Sequence, residues 1–254
     1  MNFIFGFNVW DEFPYFKDLS DQEQATIETN IVRVINDSYV ITGDQDYLVA
    51  RFLAQKGLTR AFFWSASQTI EKYLKAFLLM NGQSIKDKKF NSHKLFPLLT
   101  EARKIDPTLD KISFELHPSI NVDITVKKHL KNLSLHTFIE HIQSHGSPNN
   151  RYNQEGVDFN TAYLFGLDNF AFAVRSRIGV PDIFFSFNKI DKELIHTFRI
   201  NNPFFNEGDD IFLRDIPSPE FPICLGVSVT HLDFLKKNRL NSIELRWLDS
   251  KMKL

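Results

Sequence analysis

Three histidines, His136, His141 and His145, follow one another at spacings of five and four residues. On a helix His141 and His145 share a face, as two ligands of a metal site would. No HExxH arrangement accompanies them and no further carboxylate or thiolate ligand can be picked out, so no metal is expected; the competing reading is three surface histidines near a helix end. Gly146-Ser147 followed by Asp158-Phe159-Asn160 approaches a nucleotidyl-transfer motif, but Asn160 stands where the second metal-binding carboxylate is needed. The chain has neither GxGxxG nor the Gly-Lys-Ser/Thr ending of a phosphate loop, and no cofactor is expected. Cys224 lies in the apolar run Phe-Pro-Ile-Cys-Leu-Gly, the setting of a buried inert thiol rather than a nucleophile. Lys72 and Lys75, off the apolar stripe, could face phosphate, with Gln68 and Arg151 nearby. Alternatively they lie on a solvated helix face, where Glu71 and Lys75 make an i,i+4 pair.

Charge supports an anionic partner for one part of the chain. The net charge is -1, yet residues 1–43 hold 2 Lys/Arg against 7 Asp/Glu, whereas residues 44–131 hold 15 against 9. Lys86, Lys88, Lys89 and Lys94 form one cluster in that basic stretch; Lys127, Lys128 and Lys131 form another. Solvated helix ends and loops are the alternative. A single cysteine rules out an intramolecular disulfide framework. Met1 to Trp10 is apolar but lacks a basic n-region and a cleavage pattern, and no apolar run reaches the length of a membrane span. A cytoplasmic protein without membrane contact is expected.

These side chains must be positioned by helices. Asp44 or Asp46 can cap a helix running to about Lys56, where Gly57 ends it, and Thr59 can cap a long helix through Met80, ended by Asn81-Gly82. In the latter, Phe62, Ala66, Ile70, Tyr73, Leu74, Phe77 and Leu78 recur at helical spacing and form one apolar face, with Gln68, Glu71, Lys72 and Lys75 outside it. A shorter helix is predicted from Ser92 or Phe96 to Lys104, another over Leu135–Ser144, and a last long one capped by Asp158 or Asn160 and ended by Gly179. Outside this region the pattern turns β-like. Phe3, Phe5, Phe7 and Val9 alternate with polar or small residues, and short runs follow Pro181: Ile183–Phe187, Leu194–Ile200, Asp210–Ile216, Pro222–Val229 and Ser242–Leu248. The expected fold is mainly α, an antiparallel helical bundle at 44–180. A strand and linker at 1–43 precede it and a small β-rich C-terminal extension at 181–254 follows, α+β overall. Fourteen of the 26 phenylalanines fall in the first 16 residues or after Pro181, which predicts a shared core where the two end segments meet. An exposed aromatic surface for a partner is the alternative.

The stretch from Ala61 through Gln68, Glu71, Lys72, Lys75 and Ala76 to Leu79, then Asn81-Gly82 and His93-Lys94-Leu95, resembles the HEPN (higher eukaryotes and prokaryotes nucleotide-binding) domain family. Tyr47 to Arg51 is similar to its first helix, and Arg151-Tyr152 to an Arg-Tyr element ahead of its final helices; the likeness covers about 46–178. It implies an antiparallel bundle, often a homodimer, that binds nucleotide or RNA, and it places Gln68, Lys72, Lys75, His93, Arg151 and Tyr152 at the binding face. Many members are metal-independent ribonucleases or toxins, often partnered by a small nucleotidyltransferase, and cut RNA with an arginine followed after four to six residues by a histidine. Here Arg151 meets Gly156, Val157 and Asp158 at that spacing, and no other arginine does better. The resemblance therefore implies a non-catalytic nucleotide/RNA-binding or protein-interaction module. A divergent metal-independent ribonuclease, using Arg151 with Tyr152 or one of His141 and His145, is the alternative.

Overall fold

The computed structural model describes Val9 and residues 13–90, 93–115, 124–147, 150, 159–180, 197–198, 202, 232, 234–235 and 242–252. The described residues are mainly helical, with no strand among them. The helices are α1 (Asp21–Ile35), α2 (Ile41–Gln55), α3 (Thr59–Met80), α4 (Leu95–Ile105), α5 (Ile124–Lys131), α6 (Leu135–His145), α7 (Ala162–Ile178) and α8 (Ser242–Lys251). None is long and apolar enough to cross a membrane.

The helix expected to start at Asp44 begins much earlier. Ser20 and Glu23 form a capping box, with the Ser20 amide donating to Glu23 Oε2 (2.9 Å). The Ser20 hydroxyl, which donates to the same oxygen (2.6 Å), and then that amide hold the Glu23 carboxyl below the usual carboxylate range. From there α1 runs through a π-helical turn at Asn36–Val40 directly into α2. The rod ends at Gly57, whose φ of 69° is in the region glycine tolerates best. Residues 21–43, expected as linker, are thus mostly helix, and Asp44 is buried inside α2 instead of capping it.

Helix α3 is the centre of the bundle and packs against α2, α4, α6 and α7. All seven residues of its expected apolar stripe are buried, and so are Phe63, Thr69, Glu71 and Ala76 on other faces. Helices α2 and α7 run antiparallel, fixed by two buried charge pairs of opposite sense. Arg175 Nε donates to Asp44 Oδ1 (3.1 Å), and one turn pair further along Arg51 is ion-paired with Asp168. Tyrosine hydroxyls complete both pairs: Tyr73 donates to Asp44 (2.7 Å) and Tyr47 to Asp168 (2.6 Å). Thr197 and Asn202 close the network from beyond α7, Thr197 O accepting from Arg51 Nε (3.1 Å) and Asn202 Nδ2 donating to the Tyr47 hydroxyl (2.9 Å). Each charge is compensated and hydrogen-bonded, the condition on which buried ions are tolerated.

The expected β-rich C-terminal extension is not present among the described residues. Ser242–Leu248 belongs to α8, and Thr197 and Phe198 are helical. The sequence Ser-Ile-Glu-Leu-Arg-Trp-Leu alternates like a strand, but the side chains it buries are Glu244, Trp247 and Leu248, a helical spacing. Helix α8 lies against α1. Asn30 Nδ2 donates to Glu244 Oε1 (3.0 Å), and the Arg246 guanidinium sits over the Phe13 and Tyr15 rings (5.4 and 5.9 Å). The segments at 13–35 and 242–252 therefore meet, and one core cluster runs from Val9 and Phe16 through the bundle to Trp247 and Met252. The other β-like runs and the Phe3–Phe7 alternation lie outside the described residues.

Burial raises the Tyr47 and Tyr73 phenols well above their usual range, the neighbouring Asp168 and Asp44 carboxylates adding to it. Burial, with Glu71 nearby, lifts Tyr39 to about 12. A phenol whose folded-state pKa lies above its unfolded value of about 10 contributes stability below that pH and loses it as pH rises through the folded value. Alkaline titration should therefore show these tyrosines ionising together with loss of helical circular dichroism between about pH 10 and 12. Smooth ionisation of every tyrosine with the helical signal intact would contradict it.

Candidate functional site

The polar side chains that the sequence groups on α3 converge on Glu71. Lys75 Nζ donates to Glu71 Oε1 (2.7 Å), and His93 Nδ1 is 2.9 Å from Glu71 Oε2. The carboxylate is almost wholly enclosed, 6% exposed, whereas the His93 side chain is 48% exposed. Glu71 is thus not a member of a solvated face: it is a buried carboxylate with both oxygens engaged. Tyr39 reaches the same neighbourhood from the π-helical turn, near enough for Glu71 to help raise its phenol. The ring centroid of Trp64 is 6.4 Å from that of His93. Gln68, one turn before Glu71, has its amide nitrogen covered and without a hydrogen-bond partner among the described residues. Lys72 turns the other way, donating to Asp46 Oδ2 (2.6 Å) and to Thr42 O (3.4 Å). The structure therefore brings Gln68, Lys75 and His93 together, sets Lys72 against α2, and neutralises both lysines with carboxylates. Arg151 and Tyr152 lie outside the described residues, as does Cys224.

A second constellation forms where α5, α6 and α7 meet. His141 lies between two rings, stacked on Tyr163 (centroids 4.0 Å apart, planes 7° apart) and on His145 (4.0 Å, 21°). His129 of α5 meets the same tyrosine, its Nε2 3.2 Å from the Tyr163 hydroxyl. Phe63 of α3 backs the pile, 4.9 Å from the His145 ring. Gly146 makes this approach possible: a Cβ there would lie 2.5 Å from Phe63 O and 2.8 Å from Ile142 O, both backbone atoms. Beside the pile opens a cleft of about 550 Å³ lined by His129, Asn132, Thr137, Glu140, His141 and Ser144, with Leu133 and Tyr163. His141 lines that cleft with the Tyr163 and His145 rings stacked on it.

Lys127, Lys128 and Lys131 are exposed on α5, and none forms an ion pair among the described residues. Lys72 and Lys75 are by contrast both paired with carboxylates. No family model, curated protein or solved structure matches the chain. His141 and His145 do share a face as their spacing predicts, but they stack on each other and on Tyr163. Among the described residues no group of three or more His, Cys, Asp or Glu is arranged to hold a metal ion. The sequence reading missed His129, Glu140 and Tyr39. His129 sits among three lysines, a signal in view, but its tie to Tyr163 crosses 34 residues. The capping box at Ser20 was legible as S-x-x-E and would have placed α1.

Proposed function

We propose that this protein binds a nucleotide or single-stranded RNA in the cleft between α5, α6 and α7. The observation that carries this reading is a cleft lined by two imidazoles, hydroxyls and an amide, against a helix, α5, that also carries the exposed Lys127, Lys128 and Lys131. Phosphate oxygens take ammonium and imidazole N–H donors, and ribose hydroxyls pair with Ser144, Thr137, Asn132 and Glu140. The resemblance of residues 61–95 to a HEPN domain agrees with that ligand class, and adds a homodimer and a small nucleotidyltransferase as partners.

Fluorescence anisotropy of a labelled oligoribonucleotide across a salt series tests it. Lys127, Lys128 and Lys131 changed together to Ala should weaken binding and lower the slope of log affinity against log salt by about 2, since each single-strand phosphate contact contributes about 0.7. Changing Lys72 and Lys75 should leave that slope in place. Equal slopes for wild type and the α5 variant would end the reading. A second reading has one observation in its favour: His129 and His141 contact the same Tyr163 and line the same cleft. Two imidazoles so placed form the acid–base pair of a metal-independent ribonuclease. Cleavage of RNA in chelator that His129→Ala and His141→Ala each abolish would favour it over plain binding.

A further inference from the structure

Three local irregularities point at one carboxylate. His93 has φ 54°, the one positive value at a non-glycine among the described residues. Such a conformation costs on the order of 1–3 kcal/mol and persists where surrounding contacts impose it. The π-helical turn at Asn36–Val40 brings Tyr39 towards the same spot, and π turns recur at functional sites. The covered, unpartnered amide of Gln68 lies one turn from Glu71, and spare buried donors are uncommon.

Against a carboxylate the His93 Nδ1 is the donor, and in the neutral ring that leaves the lone pair on Nε2, on an imidazole half open to solvent. An oriented imidazole with a carboxylate behind it is an activated nucleophile. Lys75 neutralises Glu71, so the carboxylate does not repel an incoming anion. Lys94, adjacent and exposed, makes no ion pair among the described residues.

We propose that His93 Nε2 accepts a phosphoryl group from a small phosphoryl donor, at a site separate from the α5–α6–α7 cleft. In the step, the Nε2 lone pair forms the N–P bond as the donor's bond from phosphorus to its leaving group breaks, and the leaving group departs with that electron pair. The Nδ1 proton, already shared with Glu71, passes to the carboxylate and leaves a neutral phosphoimidazole. His136 is not so held: it packs against the Phe96 ring, 4.7 Å away, with no carboxylate on it among the described residues.

Phosphoramidate is the probe, with ammonia as its leaving group. The full-length protein should gain one acid-labile, alkali-stable phosphate, located at His93 by peptide mass spectrometry. His93→Asn should lose it while keeping the wild-type melting temperature, because asparagine tolerates the left-handed backbone. Glu71→Gln should slow labelling by roughly tenfold or more, the scale of losing an orienting carboxylate, and shift the His93 tautomer seen in its nitrogen NMR signals. No label on folded wild type, label spread evenly over the histidines, label retained in His93→Asn, or a rate unchanged by Glu71→Gln would each overturn the proposal.

Discussion

Asp168→Ala will lower the unfolding free energy by about 3–5 kcal/mol, and the melting temperature by roughly 10 °C, in urea and thermal denaturation followed by circular dichroism. Asp168 and its partner Arg51 are both fully buried, their side chains 0% exposed. Removing the carboxylate takes the counter-ion from a buried guanidinium whose Nε donates to Thr197 O, and it takes away the acceptor of the Tyr47 hydroxyl. The loss comes from that uncompensated charge more than from the worth of the pair itself. The double variant Arg51→Met with Asp168→Leu should accordingly recover most of the stability, since apolar side chains fill the space without needing partners. A loss under about 1 kcal/mol for Asp168→Ala would mean that water reaches the pair, against its burial.

Trp247→Ala will cost a similar amount, about 3–5 kcal/mol, the range for emptying a large aromatic site in a core. Trp247 is 1% exposed and belongs to the same apolar cluster as α1 and α3. Helix α8 is also held by Asn30 to Glu244, and by the backbone bond from Ile85 N to Lys251 O (2.8 Å). The expected result is a lower midpoint for the whole chain, with one transition by circular dichroism and by tyrosine fluorescence. If the variant loses only α8 while the remaining helices unfold at the wild-type midpoint, α8 is a separate unit and the shared core is refuted.

Helix existence was readable where one segment carried its own period and stops. Thr59–Met80, Leu135–His145 and Ala162–Ile178 follow from apolar spacing, from Gly82 with φ 74° and from Gly179 with φ 77°. The segments at 13–35 and 242–252 do meet, but α8 brings Trp247 and Leu248 to the core rather than phenylalanines, and ten of the fourteen end phenylalanines lie outside the described residues. The β-like reading of Ser242–Leu248 failed because alternation and helical spacing coincide over so few residues; burial of Glu244 beside Asn30 decides it. Asp44 looked like a cap because aspartate favours helix starts, whereas its partner Arg175 stands 131 residues away.

By itself, the sequence determined that this chain is built chiefly of amphipathic helices, which of their faces are apolar, and that its cations gather in one stretch. Those are properties of neighbours within a turn or two, and local periodicity records them. Which charges are free was decided by the tertiary structure alone. It pairs Lys72 with Asp46 across 26 residues and His93 with Glu71 across 22, stacks His141 on Tyr163, and leaves the lysines of α5 exposed. A side chain's chemistry depends on what packing brings against it, and packing joins residues whose separation along the chain carries no pattern.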